Sequence, residues 1–429
     1  MTRSPFDRLR VRLVRWLIPG ALHYPTQHHR LRLFWLDGVT ANVAEALMVT
    51  YSGLYLFSFG ASDTQIGLQA ALANLLAAAA LFPGARLAER WGQRKRIVVL
   101  SGGGAARLAL LGLVVVPFFF RPPAVIYAIM ACVALRALFN YLANPAWTSL
   151  AADLVPLRLR GRYFASRQFG MAIASLLSTV LAGQAIARLG GPAGYQWSFF
   201  IAFLFGMAST YFYASIPEPA SRQVQVRGKA ADTFTSYPAA QRNFLFYVAT
   251  QLIWSLSLQT AGPFFNIYIV EGLKGSTADV GWLSGISTLA SLAGLRFFGR
   301  HTDRRGARWT MRTAGWLIPL LPWAWLLVQA PWQIAFINVA AGFLWAGYDL
   351  GNFAMLLAIT PESQRARLVA TYQTVIFSTA FAGPLIGGFL VQNFGFKLVF
   401  FLSGLGRLVA ISLFTWLVHD PSRRELALA

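Results

Sequence analysis

The chain has 429 residues, of which 56% are hydrophobic and 12% charged, with a formal net charge of +22. A soluble domain carries roughly twice that charged fraction, so a soluble globular fold is excluded. The apolar residues fall in blocks of roughly 20 or more, and the alternating ten-residue pattern of an outer-membrane barrel is absent, which leaves a bundle of membrane-spanning helices.

In chain order, residues 1–32 form a basic segment. Phe6, Leu9, Leu13, Trp16 and Leu17 recur in it at helical spacing among Arg3, Arg8, Arg10, Arg12 and Arg15. This pattern suits an amphipathic helix lying on a lipid surface, with a disordered basic tail as the alternative. No apolar stretch with a cleavage site follows, so no removable signal peptide is expected. Twelve spans come next, near 33–59, 66–88, 96–118, 124–152, 164–188, 195–216, 243–270, 278–300, 308–329, 332–359, 368–392 and 396–419. Residues 217–242 are the one long polar connection. They divide the chain into a bundle over 33–216 and a second over 243–419, with a tail at 420–429.

Of the 37 Lys and Arg residues, 30 flank one alternating set of segments, comprising the two termini and the 2–3, 4–5, 6–7, 8–9 and 10–11 loops. Only Arg121, Arg188, Lys274 and Lys397 flank the other set. The positive-inside rule then puts both termini in the cytoplasm and the chain in the inner membrane. The charge is therefore topological and suits anionic lipid rather than nucleic acid.

The halves repeat. Ser62-Asp63-Thr64-Gln65-Ile66-Gly67 aligns with Ser276-Thr277-Ala278-Asp279-Val280-Gly281, and at the same offset Glu89-Arg90-Trp91-Gly92-Gln93-Arg94 aligns with Asp303-Arg304-Arg305-Gly306-Ala307-Arg308. Two similar bundles about an axis normal to the membrane suit alternating access by rocking.

These two loops resemble the signature loop of the major facilitator superfamily, Gly-x-x-x-Asp-Arg-x-Gly-Arg-Arg/Lys. The second copy supplies Gly299, Asp303, Arg304, Gly306 and Arg308; the first supplies Glu89, Arg90, Gly92 and Arg94, with Ala85 in place of the first glycine. The resemblance implies an all-α membrane fold of twelve helices in two six-helix bundles. It also implies that these nine residues form a cytoplasmic latch, in which glycine permits close helix approach and a tight turn. Gly383-Pro384-Leu385-Ile386-Gly387-Gly388 is similar to an element that antiporters of the family carry in the fifth span. Here it lies in the eleventh, and the fifth has Gly183-Gln184-Ala185-Ile186 without proline. Arg136 resembles the arginine of a fourth-span motif of proton-linked drug antiporters, with Phe139-Asn140 departing from that motif.

Ionisable residues within spans are costly and call for partners. Glu45 lies about 18 Å from the cytoplasmic end of span one, and Arg136 about as far from the outer end of span four. The antiparallel spans bring them to within roughly 6 Å in depth. The expected role is a Glu45–Arg136 pair that binds substrate or exchanges a proton, against a static pair that fixes register. Asp37 is expected to face water or to pair with Arg32. Asp349, beside Tyr348 and near Asn352 in span ten, is a candidate for substrate or coupling, against a structural role. Arg107 and Arg407 are expected to pair structurally or to snorkel. Asn42, Tyr51, Tyr55, Asn140, Asn144, Trp147, Gln251, Trp254, Gln259 and Asn266 join Tyr348 and Asn352 as candidate cavity lining, against packing roles.

No Walker-type sequence, metal-ligand spacing or nucleophile triad is found, so no enzyme activity, cofactor or metal is expected. The expected function is secondary active transport of a small amphipathic solute, coupled to protons, with export favoured over uptake and a monomer in contact with lipid. The alternatives are a flippase for lipid or lipid-linked sugar, and a non-transporting assembly factor or sensor.

Overall fold

The computed structural model describes residues 25–91, 93–155, 160–217, 238–360 and 365–419. The basic N-terminal segment, most of the 217–242 connection, Gly92, the side chains of Glu89 and Asp303, and the tail lie outside the described residues. Every described element is helical.

The first six helices are α1 Pro25–Phe57, α2 Asp63–Trp91, α3 Arg94–Phe119, α4 Ala124–Leu154, α5 Arg160–Leu189 and α6 Gly191–Ala214. The second six are α7 Pro238–Ala261 continuing through Phe265–Val270, α8 Thr277–Arg305, α9 Ala307–Leu317 with Leu320–Trp325, α10 Ile334–Ile359, α11 Arg365–Phe394 and α12 Phe396–Leu417. Eight of them, α2 to α6 and α10 to α12, are long and apolar enough to cross a membrane by length and composition. The others fall short for visible reasons. Asp37, Asn42 and Glu45 dilute α1, Gln251 and Gln259 dilute α7, arginines crowd the end of α8, and α9 is interrupted.

Interruptions correct the expectation of unbroken spans over 243–270 and 308–329. A 3-10 turn at Gly262–Phe264 divides α7, and α9 breaks at Ile318–Pro319. Pro263 and Pro319 lack the amide that would continue the ladder. In α3 the backbone widens into π-helical turns over Val98–Ala105.

The internal repeat has a physical basis at the start of α2 and α8. The Ser276 hydroxyl accepts from the Asp279 amide (3.2 Å) while the Asp279 carboxylate accepts from the Ser276 amide (2.7 Å). In α2 the Gln65 amide donates to the Ser62 hydroxyl (3.3 Å) and the Ser62 amide to Gln65 Oε1 (2.9 Å). Both are reciprocal capping boxes that satisfy orphan amides at a helix start.

The chain divides into two compact units, Met1–Tyr55 with Leu76–Gln223, and Leu56–Leu75 with Val224–Ala429. Nearly the first half of α2 thus belongs to the second unit, where Asn74 Nδ2 donates to the Ala380 carbonyl (3.0 Å). The first unit packs Phe34, Leu150, Tyr163 and Ile216 into a core at the loop 2–3 end; the second packs Tyr247, Trp254, Phe298, Met311 and Tyr348. Large apolar side chains such as Phe82, Leu108, Leu181, Phe336 and Trp416 are exposed instead. This is the surface expected where the surrounding solvent is hydrocarbon.

Candidate functional site

Residues 37, 38, 41, 42 and 45 of α1 recur at three- and four-residue steps and so share one face. That face borders a cavity of about 390 Å³ inside the first unit. Arg107 of α3, Asn140, Asn144 and Trp147 of α4, Arg167 of α5 and Ser209 of α6 border it too. Asn42, Asn140, Asn144 and Trp147 line this cavity. Asn42 Nδ2 also donates to the Met171 carbonyl (2.7 Å), which ties α1 to α5.

The structure brings Glu45 and Arg136 together as an ion pair. The two partners differ in accessibility, with the Glu45 side chain 51% exposed and that of Arg136 7%. Glu45 borders the cavity, whereas Arg136 is not among its lining residues. The carboxylate is thus the member of the pair that a solute or a proton can reach.

A second pair sits about two turns away along the same face of α1. Asp37, 5% exposed, neither faces water nor pairs with Arg32. Its Oδ1 accepts from the Ser209 hydroxyl (2.7 Å), and its Oδ2 lies 3.5 Å from Arg167 Nη2. Arg167 also donates through Nε to the Phe34 carbonyl (3.2 Å) and rests over the Phe34 ring at 4.6 Å. Gly38 allows this approach, since a Cβ there would strike the Arg167 guanidinium. Arg107 does not snorkel. It is 8% exposed, its charge acts on both Glu45 and Asp37, and its Nε has no hydrogen-bond partner. The cavity region therefore holds three guanidinium groups against two carboxylates. Sequence reasoning missed Arg167 and Ser209. The signal for Arg167 was its place seven residues inside a helix that starts at Arg160.

The other candidates separate into different settings. The hydroxyls of Tyr51 and Tyr55 donate to the carbonyls of Thr179 (2.6 Å) and Leu113 (2.8 Å), so both residues tie helices together. In the second unit Tyr348 is buried, stacks on Trp254 at 4.3 Å and accepts from Gln251 (3.1 Å). Asn352 bridges Tyr247 (2.5 Å) and Tyr372 (2.9 Å). Asp349 is exposed and forms no ion pair among the described residues.

Of the expected latch residues, Gly306 has a φ of 85° and makes the tight turn between α8 and α9. Arg308 Nη2 donates to the Thr415 carbonyl (2.9 Å), Arg94 Nη1 to Ser149 (2.7 Å), and Arg90 and Arg304 are exposed. Gly299 departs from the expectation of close approach. It lies within α8, and a Cβ there would meet nothing within 4 Å.

The profile of the Major Facilitator Superfamily matches residues 34–259 and 247–428, both halves of the chain. The chain belongs to the Major Facilitator Superfamily. As such it is a multi-pass membrane transporter and not an enzyme. Among relatives, it is 24% identical over 414 residues to the multidrug resistance protein MdtG of Salmonella paratyphi C, covering 93% of this chain and 96% of that one. It is 21% identical over 385 residues to the multidrug resistance efflux pump PmrA of Streptococcus pneumoniae, covering 87% and 92%. A shorter match, 31% over 145 residues, reaches the uncharacterized MFS-type transporter YuxJ of Bacillus subtilis and covers 33% of this chain and 37% of YuxJ. Among solved structures, the fold is similar to that of a POT family transporter in complex with 5-aminolevulinic acid, with a TM-score of 0.70, 13% identity and coverage of 93% and 98%. It is also similar to the xylose transporter XylE of E. coli, with a TM-score of 0.68, 12% identity and coverage of 91% and 96%.

Proposed function

We propose that this Major Facilitator Superfamily protein exports a small amphipathic organic solute across the inner membrane in exchange for protons, and that Glu45 is the group exchanging the proton. The observation that carries this reading is the asymmetric pair, with Glu45 bordering the cavity and half exposed while Arg136 is buried. Protonating Glu45 releases Arg136 from its counter-charge, so proton binding and the arrangement of α1 against α4 are linked. A solute that needs the Glu45 carboxylate then competes with the proton, which is the condition for exchange by alternating access. Asn42, Asn140, Asn144 and Trp147 offer amide and indole groups to the polar and apolar parts of such a solute. The relative named as a multidrug resistance efflux pump, PmrA, supports export. Asp349, Tyr348 and Asn352 are assigned to the second unit's share of the same task, and the 2–3 and 8–9 loops to the latch.

The test is accumulation of cationic, neutral and anionic amphipathic dyes in everted vesicles containing the wild-type chain. At least one dye is expected to accumulate when the lumen is acidified, to leave on adding a protonophore, and not to accumulate with Glu45→Gln. Equal accumulation by wild type and Glu45→Gln would overturn the role of Glu45. Dye movement indifferent to the proton gradient would overturn the coupling.

A further inference from the structure

The second unit contains a buried charge that the transport reading does not use. Arg407 is the twelfth residue of α12, about 17 Å along the helix, near the middle of a ~30 Å hydrocarbon core. It is 2% exposed and among the largest fully buried side chains. Its Nε and Nη2 are sealed and lack any hydrogen-bond partner. No carboxylate forms an ion pair with it among the described residues. Its guanidinium lies 5.8 Å from the Trp345 ring, and its charge acts on the Tyr348 phenol. A guanidinium stays charged in proteins, so this residue cannot shed its charge by losing a proton. A charge buried without a partner is strongly unfavourable, and ring faces compensate only a small part of it.

Arg407 borders a separate cavity of about 220 Å³ enclosed by residues of α7, α8, α9, α10 and α12. No acidic residue lines it. Asn266, Ser284 and Asn338 supply polar groups, and Leu258, Trp325 and Trp345 supply apolar walls. Asn338 Nδ2 is engaged by the Leu283 carbonyl at 2.9 Å, which fixes that side chain at the wall.

We infer that this cavity is a binding site for a small monoanion, a halide or a short-chain carboxylate, held by the Arg407 guanidinium at the centre of the second unit. The positive charge sets the ligand's sign, the volume its size, and the indole walls accept a weakly hydrated ion or a short apolar chain. The anion supplies the counter-charge that the fold omits and stabilises the folded second unit by mass action.

The experiment is thermal melting of the full chain in detergent, in sodium HEPES exchanged stepwise for sodium chloride or sodium acetate at constant ionic strength. Saturating anion is expected to raise the wild-type melting temperature by about 3 °C or more. A rise with chloride alone assigns a halide site, and a rise with acetate extends it to carboxylates. Arg407→Gln is expected to lose the response, and Arg407→Lys to keep a weakened one. Arg107→Gln is expected to respond as wild type, which separates this site from the first cavity. A wild-type melting temperature indifferent to both anions would overturn the proposal without recourse to any variant. A response lost in Arg107→Gln and kept in Arg407→Gln would overturn it as well.

Discussion

At the scale of single residues, the first unit is governed by which charges are reachable. Asp37 and Arg167 are both buried, so removing one leaves the other uncompensated. Asp37→Asn is expected to cost about 3 kcal/mol, and adding Arg167→Gln to recover part of it. Melting of the four members of this cycle in detergent checks the coupling, and strict additivity would contradict it. The Glu45–Arg136 pair was legible in the sequence because antiparallel helices let depth be counted from opposite ends. The Asp37 partnership was not. An arginine near a basic loop reads as a topological anchor, and only the start of α5 at Arg160 reveals that Arg167 lies about two turns inside the helix. Nor does sequence spacing disclose that Ser209, 172 positions from Asp37, reaches its carboxylate.

At the scale of elements, close contacts between helices set the local tolerances. Gly387 of α11 faces the Thr260 carbonyl of α7, where a Cβ would collide with backbone that cannot yield. Gly387→Ala is expected to lower stability by about 1–3 kcal/mol. Gly299→Ala, in open space on α8, is expected to be neutral or to raise stability by about 0.5–1 kcal/mol through helix propensity. Melting temperatures of the two variants should move apart, and equal shifts would contradict the packing account. The glycines of the glycine-proline element of span eleven suit close packing, and Gly387 packs against the Thr260 carbonyl in that way. Ser62-x-x-Gln65 and Ser276-x-x-Asp279 were legible only as an internal repeat, and the structure shows each completing a capping box at a helix start. The breaks in α7 and α9 were not legible, because Pro263 and Pro319 sit in strongly apolar blocks whose hydropathy stays continuous while the backbone ladder does not.

At the scale of the whole molecule, family membership and the twelve-helix architecture were both legible, since block length, charge asymmetry and the internal repeat all depend on physics that acts over tens of residues. The orientation proposed from the asymmetry has its own test. In a Cys132→Ser background, single cysteines at Arg121 and Lys397 are expected to react with an impermeant maleimide in intact cells, and those at Gln93 and Arg304 only after lysis. The reverse pattern would place the termini outside. The central claim concerns proton exchange at Glu45, and it is tested most directly by proton release from purified protein in weak buffer when a transported dye is added. Wild type is expected to release up to one proton per dye bound, and Glu45→Gln to release none at any dye concentration. Equal release from both proteins, or dye binding by wild type with no release at any pH at which the protein stays folded, would contradict the account.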